Sequence, residues 1–493
     1  MTITTFIEEK SNMDYKNSKL PPFLLLDEPQ LTFNPDDSFL DVNPLRGLNK
    51  FGAYNKESFQ KYTTAVRIAT IIPENGGSKI KELVNTLRTP HYPNDRKEYV
   101  SEFNGFEKLF GIPLVASQTK LAHIKWPNDL NNFLYNGNPS VKLMQAIKNS
   151  IEQLMNIRDQ FDVVLIYLPK IWEFALKTPS FDAHDYIKAI SAQSGIPTQV
   201  INDRAFTFNY KASLAWRLSI ALYVKAGGIP WKLAPLPGIP ENTAYIGLAY
   251  ALKDNLQGTH YVTCCSQVFD ADGGGMQFVA FEARDPVENI EDARRNPFLS
   301  RNDMRSVLAR SLNLYQTRNG GMLPRRLVIH KTTPFKTDEL DGAFDALSAI
   351  KEVECIQVTS NPGLRGVWLK KSQESGKISE PDGYPVPRGT VLQRTEKSAL
   401  IWVAGNAPSA SLKNDYYQGK KSIPCPINIT RFTGDSPMQF SALEALALTK
   451  MDWNNDALYD PVPVTIRYSQ QLAKIIANVP DLPSNAYAYR LFM

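Results

Sequence analysis

The chain is poor in the residues that build metal and disulfide frameworks. It has four cysteines and five histidines in 493 residues. Cys264 and Cys265 are adjacent in an apolar, strand-like run, and Cys355 and Cys425 stand far apart. No CxxC pair occurs, and His91, His123, His184, His260 and His330 do not fall at zinc-ligand spacing from any cysteine. This excludes a zinc ribbon and a disulfide scaffold, and fits buried, reduced thiols of a cytoplasmic protein. Long apolar runs are also missing. No window approaches 18 uninterrupted apolar residues, so no membrane-spanning helix is expected. The opening MTITTFIEEKSNMDYKNSK carries two early glutamates and no apolar stretch, unlike a signal peptide. Nucleotide fingerprints are missing too: there is no P-loop and no GxGxxG. Gly273-Gly-Gly275 lies between two strand-like runs, not before a helix, and reads as a hairpin turn. Charge of one sign is not in excess. Lys plus Arg is 55 and Asp plus Glu is 50, a net +5, which suits a local cationic groove but not a polycation.

What is present is ample core material, 43% hydrophobic and 11% aromatic, in a length that accommodates two to four domains or one large two-lobed body. The first 60 residues are rich in Pro, Asn and Asp. Their one apolar run, Phe23–Leu26, predicts a strand that docks elsewhere. Leu143, Ile147, Ile151 and Leu154 recur at helical spacing. Residues 162–168 read as a buried strand, 183–193 as a helix, 198–201 as a short strand, and 214–225 as a helix stopped by Gly227-Gly228. Alternating strands and helices predict a small Rossmann-like α/β domain. Pro230, Pro235, Pro237 and Pro240 mark a boundary, dividing the chain into 1–235 and 236–493. The second half opens with three strands, 245–252, 260–269 and 276–282, joined by DNLQG and DADGGG turns, an antiparallel meander. A helix capped at Ser300 follows, then a strand at 326–330, a helix through Leu340, Phe344, Leu347 and Ile350, and a strand at 353–358. That order is the order of an RNase H-like fold, among others.

One constellation in the first domain carries chemistry. His184 and Lys188 share a helix face, Gln199 begins the adjacent short strand, and Lys225 ends the following helix. In a Rossmann-like domain these places converge at one sheet edge. An imidazole, two ammonium groups and an amide make a cradle for phosphate. Spacing alone equally allows a solvated helix face and a lysine meeting a helix C-terminal dipole.

The stretches His184-Asp-Tyr-Ile-Lys188, Ile196-Pro-Thr-Gln199-Val, Leu214-Ala-Trp-Arg and Tyr223-Val-Lys225-Ala-Gly-Gly-Ile-Pro-Trp-Lys-Leu233 resemble the MID domain of Argonaute proteins. Tyr245-Ile-Gly-Leu-Ala249, Val328-Ile-His-Lys-Thr332, Leu446-Ala-Leu-Thr-Lys450-Met-Asp-Trp-Asn454 and Pro463-Val-Thr-Ile-Arg467-Tyr resemble a PIWI domain. The length leaves no room for N-terminal and PAZ domains, so the resemblance is to short prokaryotic Argonautes. It implies that His184, Lys188, Gln199 and Lys225 hold the 5′-phosphate of a guide strand. Many relatives carry a further lysine where Ala221 stands. The resemblance also implies Mg²⁺ at this phosphate, held by the terminal carboxylate of Met493 and by Gln199. Lys331, Lys450 and Arg467 lie in family motifs and are expected against nucleic-acid phosphates.

Cutting Argonautes use carboxylates that hold two metal ions. The matched positions here are Ala249, Thr332 and Gln471, none of which is a carboxylate, and Asp254 and Glu282 are not at matched positions. The expectation is a chain that binds and does not cut. The resemblance further implies a guide RNA, a single-stranded DNA target from an invader, and a separate APAZ-containing effector. That effector would be sirtuin-like or TIR, depleting NAD and causing abortive infection, or else a nuclease. The rival readings are a self-sufficient RNase H-type guided nuclease and an α/β enzyme taking a small phosphorylated substrate.

Overall fold

The computed structural model describes residues 23–493 except 95–96, 98, 127–133, 135–136, 179–180, 255–259, 271–272, 283–297, 361–362, 372–377, 413–422, 455–458, 480–481 and 484. It leaves out the side chains of 252–265, 267, 275–282, 370–371 and 378–384 as well. The Cys264-Cys265 side chains fall in that group. Cys355 is buried and Cys425 half-buried, both free.

The N-terminal segment contributes three short strands, β1 (Leu24–Leu25), β2 (Leu31–Thr32) and β3 (Leu40–Asp41). The first α/β body then begins with β4 (Val66–Pro73), followed by α1 (Gly77–Arg88), β5 (Leu114–Ala116), β6 (His123–Trp126), α2 (Pro139–Met155) and β7 (Val163–Tyr167). It closes with α3 (Ala183–Ser194), β8 (Thr198–Ile201) and α4 (Lys211–Lys225). The strands form one parallel sheet in the order β8-β7-β4-β5, with β6 also on β4. Both faces of β7 are covered, which explains its unbroken VVLIY. Val164 and Ile166 pack with Leu143, Ile147 and Ile151 of α2 and Ile187 of α3. Val163 and Leu165 face the cluster that holds Ala215, Trp216 and Leu222 of α4.

The linking strand β9 (Lys232–Leu233) pairs with β2. The second body comprises β10 (Thr243–Asp254), β11 (His260–Phe269), β12 (Gly275–Glu282), α5 (Arg301–Arg318), β13 (Arg326–Lys331), α6 (Thr337–Leu347) and β14 (Glu352–Ser360). After a separate hairpin come β15 (Thr390–Thr395), β16 (Ser398–Ile401), β17 (Ile427–Thr433), α7 (Met438–Leu448), α8 (Val464–Asn478) and β18 (Ala486–Ala488). The expected meander is there: β10, β11 and β12 are antiparallel in sequence order. Parallel β13 and β14 extend it from β10. The full sheet has ten strands, β1-β15-β16-β17-β14-β13-β10-β11-β12-β18. Ala244, Ile246 and Leu248 pack against Met304, Val307 and Leu308 of α5. The opposite face meets α7 and α8 through Tyr245, Val328, Leu446 and Leu472.

Helix α8 approaches the sheet at Gly247. An added β-carbon there would lie 1.9 Å from the carbonyl oxygen of Thr465, closer than any side chain tolerates, and His330 Nδ1 meets Thr465 Oγ1 at 2.9 Å beside it. Gly247→Ala must therefore push α8 off the sheet. The expected loss is about 3 kcal/mol, the upper end for overpacking, read as a lowered midpoint in denaturant unfolding.

The run Phe23–Leu26 does dock elsewhere, as β1 on β15 at the edge of the second sheet. Beside it, the buried Glu28 meets Arg388 Nε at 2.9 Å and Lys450 Nζ at 2.8 Å. Burial alone would raise the Glu28 carboxyl pKa, but the two cations outweigh it and hold the group ionised. Lys450 also donates to the carbonyls of Pro29 and Val42.

Candidate anion-binding site

Helix α3 starts at Asp182, whose carboxylate accepts from the backbone N–H groups of His184 and Asp185, and ends at Gly195 in left-handed geometry, φ 67°. Lys188 lies mid-helix on the inward face. Helix α4 carries Lys225 as its last residue, and Gly227, φ 107°, turns the chain away. Gln199 stands on β8 between them. The structure brings three of the four cradle residues into contact. Lys225 Nζ donates to Gln199 Oε1 at 2.5 Å, and the Lys188 and Lys225 ammonium groups lie within hydrogen-bonding reach of each other. His184 sits one turn before Lys188, its side chain 53% exposed and Nδ1 3.4 Å from Asp185 Oδ1.

Lys188 is 3% and Lys225 1% exposed. Every other buried cation among the described residues has a carboxylate partner. Arg326 pairs with Glu444 and Glu354, Lys331 with Glu339, Arg388 and Lys450 with Glu28, and Arg431 with Glu354. Among the described residues no carboxylate lies within ion-pair distance of Lys188 or Lys225. Burial pushes the Lys188 ammonium down to about 8, with Lys225 and the more distant Asp185 opposing the fall. Burial, then repulsion from Lys188, pulls Lys225 well below the ordinary lysine range. Two desolvated ammonium groups side by side are costly without an anion. An anion placed between them would relieve that cost.

The same residues do not fit Mg²⁺ by themselves. The Gln199 carbonyl oxygen already accepts from an ammonium group, and a divalent cation there would face two positive charges. The only described trio with metal-ligand spacing is Asp182, His184 and Asp185. Asp182 is spent capping α3, and Asp185 on Lys474 Nζ at 3.1 Å and Asn478 Nδ2 at 2.5 Å.

Asp185 is a residue that sequence reading passes over. It lies three positions before Lys188 and joins α3 to α8, across the two bodies. Burial would raise its carboxyl pKa, but hydrogen bonds from His184, Asn478 and Lys474 bring it down to about 2. Only its place beside the cradle, on a helix starting with acidic residues, hinted at this.

The three cations expected along a nucleic-acid backbone fare differently. Lys331 is 1% exposed, its ammonium bound to Glu339 and lying over the Phe335 ring at 4.6 Å. Lys450 is 2% exposed and pinned by Glu28. Both are internal, and neither can reach a phosphate without abandoning a buried carboxylate. Arg467 keeps a half-exposed side chain, 3.7 Å from Asp460.

At the positions matched to a cutting site, β10 and β13 run parallel with Leu248 opposite Lys331. Ala249 and Thr332 are thus the next residues along neighbouring strands. Gln357 Nε2 donates to the Thr332 carbonyl. Gln471 is turned to the C-terminal segment, its Nε2 donating to the carbonyl of Phe492 at 2.7 Å. Leu491, Phe492 and Met493 are buried, and the turn Tyr489–Leu491 packs on α3 and α4, the two helices of the lysine pair. Among the described residues no helix is long and apolar enough to cross a membrane.

No protein-family model matches the chain. A curated argonaute protein of Cereibacter sphaeroides (strain ATCC 17025 / ATH 2.4.3) is 23% identical over 457 residues, 89% of this chain and 54% of that protein. The chain thus spans about half the length of the curated relative it matches. Among solved structures, Clostridium butyricum Argonaute bound to a guide DNA and a 19-mer target DNA superposes with a TM-score of 0.66 at 16% identity, over 96% of this chain and 55% of that one. Drosophila Piwi gives 0.57 at 14% identity, over 95% and 56%. The sequence relative and the structural neighbours alike are Argonaute-family proteins, and the fold this chain shares with them is the Rossmann-like MID domain joined to the RNase H-like PIWI domain.

Proposed function

We propose that the chain is the guide-binding, target-sensing half of a prokaryotic defence system, built as a short Argonaute. Residues 1–235 form the N-terminal segment and MID domain, and 236–493 the PIWI domain. Lys188, Gln199 and Lys225, with His184 at the helix start, take the 5′-phosphate of a guide RNA. The guide pairs with single-stranded invader DNA, so base pairing supplies the specificity. The observation that carries this reading is the buried lysine pair without a carboxylate: it is the one place among the described residues where the fold buries positive charge and leaves it uncompensated.

Target cutting is not part of the proposed role. Ala249 offers only a methyl group, Thr332 a hydroxyl, and the Gln471 amide is engaged by the C-terminal segment. Hard divalent cations require anionic oxygen ligands there. The output then falls to a separate APAZ-bearing effector, sirtuin-like or TIR, consuming NAD, or a nuclease.

The test is binding of labelled 5′-phosphorylated and 5′-hydroxyl RNA of one sequence, then addition of complementary DNA with Mg²⁺ or Mn²⁺. Each charge-assisted contact to the phosphate is worth about 1.5–3 kcal/mol. The phosphorylated guide should therefore bind at least about tenfold tighter, and the DNA should stay intact. Equal affinity for both guides defeats the pocket, and cut DNA defeats the sensor reading.

A further inference from the structure

Two acidic residues flank the loop between α7 and α8. Asp452 follows the end of α7 at Leu448, and Asp460 precedes the start of α8 at Val464. The Asp460 backbone N–H donates to the Thr449 carbonyl at 2.7 Å and closes the loop at its neck. Asp452 is well supplied with donors: its Oδ1 accepts from the Tyr468 hydroxyl at 2.8 Å and from the Asn454 N–H at 3.0 Å. Asp460 is not. It is 2% exposed, and among the described residues no N–H or O–H group donates to either of its carboxyl oxygens. Arg467 Nε comes no closer to Oδ2 than 3.7 Å, from a half-exposed side chain. What does lie within hydrogen-bonding reach of the Asp460 carboxyl is the carboxyl of Asp452.

Two ionised carboxylates are acceptors only, so in contact they repel unless something positive joins them. A metal ion fits poorly here. Arg467 already brings a positive charge to Asp460, and among the described residues no third carboxylate or histidine completes a ligand set at this place. A proton needs no further ligand. It turns one carboxyl into a donor, supplies the partner that the Asp460 oxygens lack, and leaves the pair with a single negative charge for Arg467 to balance. Burial first, then Asp452, push the Asp460 carboxyl up to about 7 against the pull of Arg467, in the direction the geometry requires. The other ionisable groups of the neck are engaged. Tyr468 is bound to Asp452, the Tyr489 ring meets Trp453 with centroids 5.7 Å apart, the Tyr459 hydroxyl exchanges hydrogen bonds with Gly405, and Lys450 is held by Glu28.

We propose that Asp452 and Asp460 share one proton and form a pH-sensitive clasp on the neck of the loop between α7 and α8. With the proton in place, the two ends of the loop are drawn together. Without it, two like charges press against each other in the interior. The sign follows from linkage. An unfolded aspartate ionises near its ordinary value of 3.8, the native Asp460 near 7. Between those values only the native state keeps the proton, so raising the pH lowers stability, by up to about tenfold in the folding equilibrium per pH unit. Above 7 both states are ionised and the loss levels off.

The experiment follows urea unfolding of the full chain from pH 4.5 to 8.5 for wild type, Asp460→Asn and Asp452→Asn, with amide exchange across 449–464 corrected for its intrinsic rate. Asparagine at 460 carries a permanent donor in place of the proton. Asp460→Asn is therefore expected to gain on wild type as pH rises, by up to about tenfold per unit, and to stop gaining above about 7. Asp452→Asn should flatten the profile too, because Asp460 then faces no like charge. Protection across 449–464 should fall with pH in wild type and hold in Asp460→Asn. If Asp460→Asn is weaker than wild type by the same factor at every pH, Asp460 is an ionised partner of Arg467 and the proposal is overturned. A wild-type profile retained in Asp452→Asn overturns it as well, since burial alone then holds the proton. If Mg²⁺ or Ca²⁺ flattens the wild-type profile and EDTA restores it, the pair holds a cation and the proposal falls. Should Asp460→Asn fail to fold, the comparison of wild type with Asp452→Asn decides.

Discussion

Replacing Lys188 with methionine is expected to make the empty chain more stable while removing its preference for a 5′-phosphate. The ammonium pKa falls from 10.5 to about 8 on burial, a shift worth about 3 kcal/mol against folding at neutral pH. Methionine keeps the length and volume and carries no charge to desolvate. The melting temperature, followed by differential scanning fluorimetry, should therefore rise. The phosphate-over-hydroxyl ratio should drop at least about tenfold. A lysine with a merely structural role would give the opposite sign of stability change, because its loss would leave a partner unpaired. The pH dependence follows from the same shift. A lysine whose folded pKa lies below its unfolded value opposes folding fully below about 8. That opposition fades as pH rises from about 8 to 10.5, so the empty chain should gain stability across this window. Phosphate affinity should move the other way, declining above pH 8 as the ammonium group deprotonates. A methionine variant that melts lower than wild type, with phosphate preference intact, would remove the lysine pair from the binding site.

The second large effect is expected at Glu28→Ala. Its carboxylate is the shared counter-charge of Arg388 and Lys450, both below 5% exposure. Truncation leaves two cations in the interior and should cost about 3–5 kcal/mol, the usual range for breaking a buried ion pair. Because Glu28 follows β1 directly, the loss should also free the N-terminal segment from the PIWI sheet, read as faster amide exchange at residues 23–42. A variant with wild-type midpoint and protection would show that water reaches the two cations and that the triad contributes little.

Much of this architecture is legible in the residues. The meander, its glycine turn and the capped helix at Ser300 announce the PIWI half, and the helix-strand alternation after residue 140 announces the MID half. The central MID strand Val66–Pro73 is not found that way. Its VRIATIIP is buried along nearly its whole length, so it lacks the alternation that betrays a strand, and the helix after it begins at Gly77 without a side-chain cap. At the candidate site, the meeting of Lys188, Gln199 and Lys225 is legible because each sits at an element end or face fixed by local pattern. Lys331 and Lys450 mislead for the converse reason. Motif position says nothing about a carboxylate arriving from elsewhere, and Glu28 is 422 positions from Lys450.

The distance from Glu28 to its partners also sets a timetable. A ribosome adding about 5–20 residues per second needs roughly 20–80 seconds to travel from Glu28 to Lys450. For most of that interval the apolar run Phe23–Leu26 and its glutamate lack the strand β15 and the Arg388 that will receive them, and Lys450 follows later still. The MID sheet, complete once residue 201 is made, can close far earlier. The PIWI sheet gains its two border strands from distant stretches of the chain, β1 made before the other strands of that sheet and β18 after them. Assembly of the nascent chain should therefore proceed from the middle outward. The segment around β1, made before the rest of its sheet, is among the last to settle, and a chaperone has long to act on it.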